Sequence, residues 1–64
     1  MDQYLIDALK IKYEAQMAEA YANIQVYLNN PAGIGEHPDI IAAIDTQVEV
    51  YANAKEKLEV LDEF

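Results

Sequence analysis

Glu36, His37 and Asp39 place three potential metal ligands within four residues, and a loop can bring an imidazole and a carboxylate onto one ion. His37 is the single histidine and there is no cysteine, which falls short of the donor set that a structural zinc site takes. His37 therefore reads as a solvent-facing histidine at a helix start, and no metal-binding residue is assigned. Gly33-Ile34-Gly35 has the look of a phosphate cradle, but no Lys-Ser/Thr follows it and no strand pattern precedes it. It reads as a turn whose glycines admit positive φ. Nucleophilic catalysis has little to work with. The chain has no Ser or Cys, its lone Thr46 falls on the polar side of a helical pattern, and no paired carboxylates sit in an apolar setting that would shift a pKa. No catalytic or cofactor-binding residue is assigned, no cofactor is expected, and the chain reads as non-enzymatic.

Five tyrosines, at positions 4, 13, 21, 27 and 51, could form a stacking platform, yet Tyr13, Tyr27 and Tyr51 fall on apolar stripes where a phenol buries its ring and leaves its hydroxyl at the edge. Lys10, Lys12, Lys55 and Lys57 come to one level if the chain folds in half. Lys10 has Glu14, and Lys55 has Glu59, four positions on, so this band reads as a solvated salt-bridge face. The net charge of −8, with four Lys and no Arg, argues against nucleic acid or an anionic membrane as partner, because phosphates are bound by neutralising them. No run reaches the ~18 apolar residues of a membrane span, and Met1-Asp2-Gln3 lacks the basic start of a signal peptide. The expectation is a soluble protein of the cytoplasm.

The elements that hold these residues are set by one stretch, Asn29 to Pro38, which contains both prolines and both glycines of the chain. Asn30 precedes a proline and is pushed out of the α region, so a helix ends near Leu28 or Asn29. Pro38 suits the first position of a second helix, with Asp39 on its positive end or serving as the cap if the helix starts later. The expectation is an all-α, antiparallel two-helix hairpin in one domain: a helix over about 3–29, a loop over about 30–37 and a helix over about 38–62.

At 3.6 residues per turn the first helix is apolar on two faces. Ile6, Leu9, Tyr13, Met17, Ala20, Ile24 and Tyr27 form one stripe. Tyr4, Ala8, Ile11, Ala15, Ala18, Ala22 and Val26 form another on the opposite side. The second helix carries one main stripe: Ile40 or Ile41, then Ile44, Val48, Tyr51, Ala54, Leu58 and Leu61. Folding at Gly33-Ile34 pairs positions whose numbers sum to about 68, with Ile24 by Ile44 and Ala20 by Val48. One face of the first helix is then left over. A chain of 64 residues without a disulfide or zinc needs further burial, so that face is the expected homo-oligomer interface, giving a dimer that forms a four-helix bundle. Ile34 is expected to fold back against Tyr27, Leu28 or Ile41. Together with Glu36 and His37 it is the candidate loop contact for a larger protein partner.

The run Tyr27-Leu28-Asn29-Asn30-Pro31-Ala32-Gly33-Ile34-Gly35-Glu36-His37-Pro38-Asp39 resembles a segment of small uncharacterised proteins encoded by tailed phages, notably T4-like phages of marine cyanobacteria. The resemblance implies a phage or marine-metagenomic origin and the host cytoplasm as location, and brings no catalytic residues with it. The length and hairpin plan also look like the plasmid-copy-control Rop proteins, whose shorter turn and basic face are missing here. The functional expectation is a small structural or protein-interaction module that self-associates through its first helix. The alternative is an acidic DNA mimic that occupies a nucleic-acid-binding protein, against which the interspersed lysines count.

Overall fold

The computed structural model describes residues 2–29 and 39–64. Two helices account for the regular structure among these residues: α1, Gln3–Asn29, and α2, Ile40–Leu61. The expected loop packing of Ile34, and the contacts assigned to Ile34, Glu36 and His37, lie outside the described residues.

α1 has no Gly or Pro to interrupt it, and Asp2 starts it. The Asp2 carboxylate accepts from the Tyr4 N–H at 2.8 Å, while its carbonyl accepts from Leu5 and Ile6 at 3.1 and 3.2 Å. Two of the orphan donors of a helix start are met this way by one residue. α2 begins at Ile40, two residues later than a Pro38 start would give. Asp39 occupies the cap position with φ −116° and ψ 46° and makes no side-chain capping bond, although its carbonyl accepts from Ala43 at 3.2 Å. At the other end Asp62, Glu63 and Phe64 donate to the carbonyls of Glu59, Val60 and Leu61, the tightened i→i−3 bonds with which a helix often closes.

α1 and α2 pack against each other along their length. Three cross-helix contacts show that they run antiparallel and set the register. Asn23 Nδ2 donates to Gln47 Oε1 at 3.2 Å. Lys57 Nζ stands 5.5 Å from the centre of the Tyr13 ring. The Tyr21 and Tyr51 rings lie 6.5 Å apart, tilted by 43°. The paired numbers sum to 70, 70 and 72, so the register lies two to four residues from the expected 68.

The α1 face turned to α2 is the expected stripe: Ile6 and Ala20 are buried, and Leu9, Tyr13, Met17, Ile24 and Tyr27 are half-buried. The α2 face is a corrected one. Ile41 is 78% exposed and Val48 47% exposed, whereas Ile40, Ala43, Ile44, Gln47, Tyr51, Leu58 and Leu61 are half-buried and Ala54 is buried. The helix is turned so that Ala43 and Ala54 join Ile40, Ile44, Tyr51, Leu58 and Leu61 on the face that meets α1, and so that Gln47 reaches Asn23 while Ile41 and Val48 move to the edge. Hydrogen bonding makes that exchange tolerable, because a part-buried amide with a partner does not carry the cost of a lone one.

Candidate functional site

Thr46, the one side-chain hydroxyl outside the tyrosines, donates from Oγ1 to the Ala42 carbonyl at 3.0 Å on an exposed turn of α2. That bond to the preceding turn is a common local arrangement for a threonine within a helix. No three His, Cys, Asp or Glu side chains among the described residues converge as metal ligands, and Glu36 and His37 lie outside that set. A shallow cleft of about 340 Å³ opens where Tyr13 of α1 meets Asn53, Glu56, Lys57, Val60 and Leu61 of α2. Two of its lining residues, Lys57 and Tyr13, form a cation–π pair. Lys57 is thereby given a place on the flank of the hairpin, where sequence reasoning saw only a shared level of lysines.

The feature that dominates the surface is apolar. Tyr4 is 84% exposed, Ile11 68% and Val26 56%, and between them Ala8, Ala15, Ala18 and Ala22 are all exposed as well. The helical repeat puts these seven on the side of α1 turned away from α2. The structure thus brings together the whole stripe assigned to self-association on one uncovered face. It borders on Leu5, 60% exposed, which the sequence reading left out because it stands one residue off the stripe.

A second, smaller apolar group was also missed. Tyr21 and Leu28 stand one heptad apart on α1, Ile41 and Val48 one heptad apart on α2, and all four are exposed. The Tyr21–Tyr51 contact puts both lines on the same flank of the pair. This flank is hidden from sequence reasoning because Val48, and Ile41 as the alternative to Ile40, read as core. The signal that could have shown it is Gln47 standing opposite Asn23, two amides that satisfy each other only if α2 is turned.

No family model matches this chain, and neither a curated protein nor a solved structure does. No described helix is long and apolar enough to cross a membrane.

Proposed function

We propose that this chain is a small non-enzymatic structural module that self-associates through α1, two copies meeting along Tyr4, Ala8, Ile11, Ala15, Ala18, Ala22 and Val26. The observation that carries this reading is the exposure of that entire stripe on a helix whose other face is already packed. Scattered exposed apolar residues are ordinary on a monomer; a contiguous apolar face the length of a helix marks an interaction surface.

The energetics of the lone hairpin point the same way. Only Ile6, Ala20 and Ala54 are buried among the apolar residues described, so the core contains no large side chain fully withdrawn from water. The chain exposes 4929 Å², against about 4100 Å² expected for a folded monomer of 7.2 kDa. Two helices side by side cannot enclose a core. Pairing two α1 helices would cover Tyr4, Ile11 and Val26 and let the alanines bring the backbones close, with both α2 helices outside in a four-helix assembly.

Sedimentation tests it. The wild-type chain at tens of micromolar is expected to be a dimer. Ala15→Glu and Ala18→Glu each put charge into the seam, at several kcal/mol for the pair of chains, and should dissociate it. Asn53→Glu adds the same charge on the exposed side of α2 and should leave the dimer intact. A fully helical wild-type monomer would refute self-association. A dimer that survives both alanine substitutions would show that another face is used.

A further inference from the structure

We infer that the two α1 helices pair antiparallel, in the one register that sets Lys12 of each chain beside the partner's Glu19; this rests on the self-association reading above.

The charges of α1 fall into two groups. Asp7 and Glu14 each have Lys10 three or four residues away, the spacing at which helical side chains meet. Lys12 and Glu19 do not. No acidic residue stands three or four positions from Lys12, and no lysine stands so placed from Glu19. Both are exposed, and both lie on the same border of the apolar stripe, one heptad apart. In heptad terms Ala8, Ala15 and Ala22 take one seam position and Tyr4, Ile11 and Ala18 the other. Lys12, Glu19, Leu5 and Val26 then share the flank on one side, and Asp7, Glu14, Tyr21 and Leu28 the flank on the other.

Antiparallel helices bring like flanks together, so register decides which charges meet. With Ala15 layered on the partner's Ala18 and Ala22 on the partner's Ile11, Lys12 stands by the partner's Glu19 and Leu5 by the partner's Val26, each twice by symmetry. The exposed Leu5 is covered without any further partner. Asp7 and Glu14 face the partner's Leu28 and Tyr21 and meet no like charge. Sliding one heptad in one direction sets Lys12 on Lys12 and Glu14 on Glu14; sliding in the other sets Glu19 on Glu19. A parallel pair would join Asp7 to Lys12 but also Glu14 to Glu19, and the two terms oppose each other. Only the first arrangement has attraction without repulsion, and flanking charges are what fix orientation in paired helices.

Charge exchange with sedimentation equilibrium tests this. Lys12→Glu and Glu19→Lys are each expected to weaken the dimer by about tenfold, since two attractive pairs become two repulsive ones, and the double exchange is expected to restore it. Glu19→Lys is the sharper probe, because it replaces −1 by +1 and moves the net charge from −8 to −6. If overall repulsion governed association, that variant would dimerise more tightly, and the inference would be overturned. The chain has no cysteine, so disulfide trapping gives an independent readout. Ala8→Cys mixed with Gln25→Cys should form the mixed dimer on oxidation, whereas Ala8→Cys linked chiefly to itself would show a parallel pair and overturn the inference. A monomeric wild type would instead remove the self-association reading and this register with it.

Discussion

Asn23 and Gln47 meet at the edge of the helix pair, and what they contribute depends on their being together. The bond from Asn23 Nδ2 to Gln47 Oε1 is part-buried at 3.2 Å, and no buried side-chain nitrogen or oxygen among the described residues lacks a partner. Asn23→Ala should therefore destabilise the hairpin by about 1 kcal/mol, by leaving Gln47 half-covered with no acceptor or donor in reach. Replacing both, as Asn23→Leu with Gln47→Leu, should be neutral or stabilising. Urea denaturation of the two single variants and the double one reads out the coupling. Equal and additive losses would show that the two amides act independently. At the same scale Ala20 and Ala54, each 1% exposed, are the most fully buried of the described residues, one on each helix. Ala54→Leu should cost about 1–3 kcal/mol by forcing the helices apart, while Ala52→Leu, at an exposed position, should change stability little.

At the scale of the element, the two helix starts differ in a way that thermal denaturation can measure. Asp2 caps α1 through its carboxylate, and Asp39 stands at the start of α2 without a side-chain capping bond. Asp2→Ala should cost about 1 kcal/mol, the usual worth of an acidic cap, and Asp39→Ala about half of that, since only its charge near the helix end is lost. A larger loss at Asp39 would mean that its carboxylate does cap in solution. α1 also differs from α2 in having two apolar faces. If a second chain covers the outer face of α1, a charge placed there should cost far more in the dimer than in the monomer, whereas the same substitution on the outer side of α2 is expected to be silent.

For the whole molecule, the radius of gyration of 14.8 Å, with extents of 48 × 14 × 13 Å, describes a rod; a globule of this chain length would have about 11 Å. A rod two helices wide gains most by widening. Because the two apolar faces of α1 lie opposite each other, joining two hairpins through α1 gives a row, α2–α1–α1–α2, in place of a square bundle. With helices 8–10 Å apart, the row would be about 35 Å across and one helix thick, a shape that small-angle scattering separates from a square bundle of the same mass. Stability should also follow concentration by mass action, the melting temperature rising across a hundredfold increase in chain concentration. A melting temperature independent of concentration would count against the dimer.

Much of this was legible in the residues. The Pro and Gly cluster between Asn29 and Pro38 divided the chain into two helices, because proline and its preceding residue resist the α conformation whatever surrounds them. The two stripes of α1 followed from its periodicity alone, and the core stripe is the face that meets α2. What tertiary structure decided was how α2 is turned and how far it is slid. Ile40, Ile41, Ala43, Ile44, Gln47 and Val48 span nearly half the circumference of a helix, so hydropathy left neighbouring faces nearly equal, and a register two to four residues away changes local composition little. The choice among them was made by what stands opposite. Asn23 offers an amide to Gln47, Tyr21 offers a ring to Tyr51, and Ala20 and Ala54 are each buried against the opposite helix. Pairwise fits of this kind exist only once both helices are in place, and they are absent from any single stretch of the sequence.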